Sequence, residues 1–378
     1  MKNNRFLNIA YAVEVLNGRI NGSASQVENN KTGYDNITFT KKVNGKAYVS
    51  SACIKKSMKN FMEENDNLIS SKNKIKGKII TDADPFKNID EDIFGFMLTS
   101  SGMITDEVYK ELEPEEQANY KQDKSSKDWK LSIKITKKEY DLLSNNEKKA
   151  WKGDKKEVYS PVPMSTKKRR ANFMMNGLIG VGSGKVNREW GVCETNTYNM
   201  PYVLETYSDI MVGIGNLNIN HVGEFEIGNK DLDFKDYDVI EGIEKKSLYL
   251  SKEEKFKRIE TALKSFQYLS IKSNQSNYLV DTMPKVVILA EYKYGNNVFQ
   301  GLINKDGINI EGLKETIDEF DIFRISKIWI GVSAKIMNEN FKGLKEKLQD
   351  ELKEFDFIEI GTIKSSFDGY IRYLKESM

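Results

Sequence analysis

The chain has 378 residues, 39% hydrophobic and 30% charged, with a net charge of +2: room for one large elaborated domain or two ordinary ones around an adequate core. No run approaches the ~20 apolar residues of a spanning helix, and Arg5 and Glu14 interrupt the N-terminal apolar stretch, so a cytoplasmic protein without signal peptide or membrane partner is expected. A single histidine, His221, and two cysteines, Cys53 and Cys193, exclude multi-histidine metal sites and leave Ser-His-Asp or Cys-His chemistry one residue to run through; no metal or cofactor is expected.

Residues 6–16 read as a buried strand. Residues 36–50 read as an extended ribbon turning at Asn44-Gly45, a typical hairpin signal. Ser50 or Ser51 then caps a helix running to about Met62, with Ile54, Met58, Phe61 and Met62 inward and Lys55, Lys56 and Lys59 on the opposite flank. The acids Asp82, Asp84, Asp90, Glu91 and Asp92 lack the spacing of a calcium loop and suit the positive end of a helix starting near Asp90.

Residues 104–155 contain a duplication. ITDEVYKELEPEEQANYKQDK, from Ile104, is repeated as ITKKEYDLLSNNEKKAWKGDK, from Ile135, so that Tyr109 matches Tyr140 and Tyr120 matches Trp151. Each copy reads as a short helical hairpin starting at a capping Thr105 or Thr136. Residues 202–227 read as one long strand or a bent pair. The capping box Ser251…Glu254 opens a helix carrying Phe256, Ile259, Leu263 and Phe266, followed by a polar loop from Ser273 to Asn277 and an apolar strand at 285–292. A helix near 339–353 and a strand near 357–362 close the chain. Interleaved strands and helices on one sheet indicate an α/β (α+β) fold, with a ferredoxin-like sheet the leading candidate.

Charge is segregated along the chain. Residues 36–62 contain no acid and carry Lys41, Lys42, Lys46, Lys55, Lys56 and Lys59; residues 158–188 contain no acid and carry Lys167, Lys168, Arg169, Arg170, Lys185 and Arg188. Balancing acids gather at 106–116, 231–244 and 311–321. This pattern suggests a basic groove with an acidic exterior, as a sequence-blind binder of a polyanion requires.

Several segments, in order, resemble the DevR-type (Cas seven group) backbone subunits of type I CRISPR surveillance complexes, subtype I-B. They are LNIAYAVEVLNG, NITFTKKVNGKAYVSSACIKKSMK, DEDIFGFM, TKKRRANFMMNGLIGV, REWGVC, MPYVLETYSDIMVGIGNLNINHVGEF and SFQYLSIKSNQSNYLVDTMPKVVILAEY. Together they span about two thirds of the chain. No single string is specific; the ordered set is. The resemblance implies an RRM-type (RNA-recognition) palm at 1–62 plus 190–378 that includes a projecting thumb, with a finger-like insertion at 63–189. It implies head-to-tail stacking of copies along a CRISPR RNA, which is presented for pairing with target DNA, in company with small, large and capping Cascade subunits. Base pairing then reads sequence while the protein reads backbone and shape.

An RNA scaffold needs cations for phosphates and groups that stack on bases. The expected RNA-binding residues are Lys41, Lys42, Lys55, Lys56 and Lys59 around the first helix; Lys167, Lys168, Arg169 and Arg170 in an exposed basic loop; and Asn274, Gln275 and Asn277 in the polar loop. Two enzymatic alternatives stand beside a non-catalytic scaffold. Type III-like backbone subunits cut target RNA with an aspartate after the first strand, a place roughly held here by Asp35. Alternatively, His221 could serve a guide-processing endoribonuclease as general base, although it falls in a strand pattern without a glycine-rich loop.

Overall fold

The computed structural model describes residues 4–21, 37–70, 73–75, 78–80, 84–99, 103–104, 109–110, 114–117, 120–122, 129–135, 141, 158–161, 166–194, 199–226, 247–272 and 278–378. A large mixed α/β sheet organises them. Its main strands are β1 (Phe6–Gly18), β2 (Lys46–Val49), β3 (Leu178–Gly180), β4 (Asn199–Asn218), β5 (Val286–Tyr292), β6 (Ile328–Val332) and β7 (Ile358–Gly361). They lie in the order β7-β6-β5-β1-β4-β3-β2, and the strand Lys42–Val43 extends the β2 edge. Neighbours are antiparallel except β6 and β7, which are parallel.

β1 is central because both its faces are apolar. Leu7, Ile9, Tyr11, Val13 and Val15 alternate onto one core, while Ala10 and Ala12 meet the other. The first face is covered by α1 (Ser51–Glu64), α3 (Lys252–Gln267) and α6 (Ile363–Ser377), through Ile54, Met58, Ile259, Leu263, Phe266, Phe367 and Tyr370. The second is covered by α4 (Ile310–Phe320) and α5 (Leu344–Glu351), through Leu313, Ile317, Leu344 and Leu348. Ser251 caps α3 as expected, its Oγ accepting from Glu254 N at 3.1 Å. At the Asn44-Gly45 turn both residues have positive φ, 50° and 75°, as a two-residue hairpin with right-twisted strands requires.

Four expectations change. Residues 173–180 fall within the stretch assigned to the insertion, yet Phe173–Met175 and β3 both pair with β4 in the main sheet. Within 104–155 the described residues include helical segments at 109–110 and Pro114–Gln117, in keeping with the first copy, but also a sheet centred between the two copies that was not expected. Trp129–Ile135 pairs with Met103–Ile104, Tyr120–Gln122 and Val158–Pro161, and Tyr109 stacks on Trp129 with ring centroids 3.5 Å apart. WKLSIKI alternates apolar and polar residues, a strand signal that the repeat alignment hid. The helical hairpin expected from Thr136 lies almost wholly outside the described residues. The chain closes on α6, not on the 358–361 strand; Phe367, Tyr370 and Leu374 bury one helical face there. Finally, His221 occupies an exposed turn after β4 and not a strand.

Candidate nucleic-acid interface

The two acid-free stretches meet. β2, from the first, pairs with β3, from the second, at Tyr48–Ile179 and Val49–Leu178. Ala47 and Val49 point into the core, so Lys46 and Tyr48 turn the other way, and the Lys46 ammonium donates to the carbonyl of Gly182. Lys41 lies over the Tyr48 ring, 5.3 Å from its centroid, and Gly177 lies against that ring so closely that a Cβ there would sit 2.4 Å from Tyr48 Cε2. Lys41 and Lys42 are exposed on this edge.

α1 begins immediately after β2. Lys56 is exposed, while Lys55 and Lys59 are half-buried with their ammonium groups each 5.9 Å from the Phe94 ring. Burial, then the charge of Lys59, lowers the pKa of Lys55. Lys59 also pairs with Asp90 at 2.7 Å. Phe94 ends the short helix α2 (Ile89–Phe94), and Gly95 follows with φ 66°. A Cβ on Gly95 would fall 2.3 Å from the Arg169 carbonyl oxygen and 2.7 Å from Ala171 N. Phe94–Gly95 therefore separates the lysines of α1 from the TKKRR segment by little more than one aromatic ring.

That segment is a strand, Thr166–Arg169, paired with Phe96–Thr99, where an exposed loop was expected. Strand alternation splits its cations. Arg170 is exposed and Lys168 half-buried; for Lys167 only the backbone is described. Arg169 points inward and is 5% exposed. Its guanidinium pairs with the Asp92 carboxylate, donates to the carbonyls of His221 and Glu224 at 3.0 Å each, and lies over the Phe225 ring. With these donors engaged inside the protein, Arg169 is a structural residue and leaves the set of candidate RNA ligands. The sequence signal for this was the period of two, which makes adjacent cations in a strand face opposite ways.

The acids of α2 sit in its first turn, as expected, but act over distance. Asp92 is fully buried and also receives Arg258 Nη1 at 2.9 Å, Asn172 Nδ2 at 3.2 Å and Gly223 N at 3.0 Å. Asp90 accepts from Ser70 N at 2.8 Å. They tie α2 to α3 and to the strands beside it, and among the described residues no group of acids, histidines and cysteines could hold a metal ion. Asn274, Gln275 and Asn277, and Asp35, lie outside the described residues. Tyr278, just beyond the polar loop, donates to Glu189 Oε2 at 2.7 Å, which places that end of the loop beside the ribbon Asn187–Glu194. Burial, followed by this bond, pushes the Tyr278 hydroxyl pKa up to about 12. Sequence reasoning passed over Tyr48 and Phe94, the rings nearest the ammonium groups of Lys41, Lys55 and Lys59; for Tyr48 the available signal was an aromatic beside Lys46 in a cation-rich stretch, whereas Phe94, in the acidic DEDIFGFM, carried none.

No protein-family model matches the chain, and no curated protein does. Among solved structures it is similar to a chain titled "CRISPR RNA-guided surveillance complex", at 10% identity and a TM-score of 0.43, covering 97% of this chain and 99% of that one. It is also similar to a chain titled "CRISPR RNA-guided surveillance complex, pre-nicking", at 10% identity and a TM-score of 0.44, covering 98% and 100%. No helix among the described residues is long and apolar enough to cross a membrane.

Proposed function

We propose that the chain is a guide-RNA-binding, non-catalytic backbone subunit of a type I CRISPR interference complex, subtype I-B. In this reading copies join head to tail along the CRISPR RNA in the cytoplasm and present it to target DNA, with small, large and capping subunits completing the assembly. One observation carries the proposal: β2–β3 pairing joins in one sheet two stretches that together hold twelve cations and no acid, with Lys41 and Lys42 on the sheet edge and Lys56 and Arg170 exposed. Such an edge tracks a phosphodiester backbone without reading bases. The half-buried Tyr48 ring offers an aromatic surface of the kind that stacking needs, whereas Phe94 is buried against Phe173 and serves the core.

The strand order supports a ferredoxin-like, RRM-type palm. Taken along the chain, β1, α1, β3, β4, α3 and β5 follow the sequence βαββαβ, and their strands lie side by side as β5-β1-β4-β3, all antiparallel. The finger-like insertion then runs from 63 to just before Phe173, and a thumb projects from the remainder. A chain in this role co-purifies with RNA of defined length, giving an absorbance excess at 260 nm over 280 nm. It binds single-stranded RNA with a steep salt dependence, and it leaves complementary RNA uncut in magnesium. Nucleic-acid-free protein with no RNA affinity at about 50 mM salt would overturn the proposal. Metal-dependent cleavage abolished by Asp35→Ala or His221→Ala would move the function to a ribonuclease.

A further inference from the structure

Arg19 follows β1 and is 3% exposed, yet among the described residues its buried Nε has no hydrogen-bond partner and no ion pair closes on its guanidinium. Burial lowers its pKa, offset in part by the charge of Glu205 and then by Tyr278. Glu205 is itself 5% exposed and already engaged: its Oε2 accepts from Thr40 N at 2.8 Å and its Oε1 from Arg188 Nε at 3.3 Å. Glu189, the other carboxylate nearby, takes the Tyr278 hydroxyl and Thr206 Oγ1. Glu205 thus pairs with Arg188 and acts on Arg19 only through its charge, so the Arg19 guanidinium is left with a buried, unpartnered Nε.

A buried, unpaired guanidinium is costly to a fold and finds relief in an oxyanion that meets the fork. The surroundings belong to the basic edge. Asn21, two residues on, donates from its side chain to Tyr48 O at 3.0 Å, and its carbonyl accepts from Lys41 N at 3.4 Å. Tyr278 brings the end of the polar loop alongside.

We propose that Arg19 is a phosphodiester-binding residue, its guanidinium receiving one phosphate of a bound RNA strand where the base of the 187–206 ribbon meets the end of β1. The proposal rests on the RNA-binding reading for its ligand, and on the orphaned guanidinium for its place. It explains why a residue this enclosed carries a charge, two residues before the Asn21 that bonds Tyr48 and Lys41.

The test compares the full chain with Arg19→Met and Arg19→Lys, using thermal unfolding with and without pyrophosphate and RNA anisotropy across salt. The expected result is a stabilisation of the parent by pyrophosphate that Arg19→Met loses. RNA binding by Arg19→Met falls about tenfold, with the slope of log affinity against log salt shallower by about 0.7, the share of one phosphate on a single strand. Arg19→Lys keeps the slope but loses the affinity that the fork supplies. Without ligand, Arg19→Met unfolds at the parent temperature or above it. If the parent binds RNA and both variants match it in affinity and slope, the Arg19 assignment is wrong while the scaffold reading stands. If pyrophosphate stabilises only the parent but no RNA binds, the oxyanion site stands and the scaffold reading fails. A lower unfolding temperature for Arg19→Met with unchanged RNA binding makes Arg19 structural and overturns the proposal.

Discussion

Replacing Arg169 with methionine separates two accounts of the TKKRR segment. Taken as a run of cations, it makes Arg169 an RNA ligand whose loss weakens binding. The fold makes it half of a buried charge cluster, with Asp92 at 0% exposure and Arg258 at 4%. Breaking a buried pair by removing one partner costs about 3–5 kcal/mol, because the other charge is left without compensation. Here Arg258, Asn172 and Gly223 still hold Asp92, so the lower end, about 3 kcal/mol, applies to Arg169→Met. Asp92→Asn leaves two buried guanidinium groups facing a neutral amide and belongs at the upper end, about 5 kcal/mol. Urea unfolding followed by tryptophan fluorescence measures both. With a slope of about 3 kcal/mol/M, Arg169→Met should move the midpoint down by about 1 M, while the folded variant binds RNA within about twofold of the parent. A midpoint unchanged to within the equivalent of ~0.5 kcal/mol, together with a tenfold loss of RNA affinity, would refute the reasoning and restore Arg169 to the RNA-binding set.

Gly95→Ala should destabilise by about 2–4 kcal/mol on the same urea assay, since an L side chain is strained at φ 66° and the Cβ has no room before the Arg169 carbonyl. Phe367→Ala, at a fully buried position on the inner face of α6, should cost about 3–5 kcal/mol and leave RNA binding by the folded protein unchanged. Lys41→Gln, Lys56→Gln and Arg170→Gln combined should lower the salt slope by about 2, at ~0.7 per phosphate, with an unfolding midpoint close to the parent's. Replacing residues 104–155 by a short Gly/Ser linker should leave RNA affinity within about twofold; a collapse of affinity would bring the repeat into the RNA site.

Much of the main sheet and its covering helices was legible because their signals are local. The alternation in FLNIAYAVEVLNG, the Asn44-Gly45 turn, the Ser251…Glu254 cap and the apolar run at 286–292 each impose one backbone geometry whatever surrounds them. Other parts depended on partners distant in sequence. That residues 173–180 join β4 depends on a pairing that no local pattern specifies. The fate of Arg169 depended on the carboxylate of Asp92, 77 residues away, whereas charge counting treats every lysine and arginine alike. Arg19 went unnoticed because an isolated arginine after a strand carries no pattern; only its enclosure marks it. The charge pattern suggested a basic groove, and the β2–β3 register joins its two acid-free stretches in one sheet at the β2 edge.

Ultraviolet cross-linking of the full chain to single-stranded RNA, with the linked peptides mapped by mass spectrometry, tests that edge most directly. If it holds the strand, cross-links fall in both 36–62 and 166–188 on the same bound RNA, and they vanish at high salt. Cross-links confined to one of these stretches, or gathered instead on the acidic α4 and α5 side of the sheet, would contradict the account.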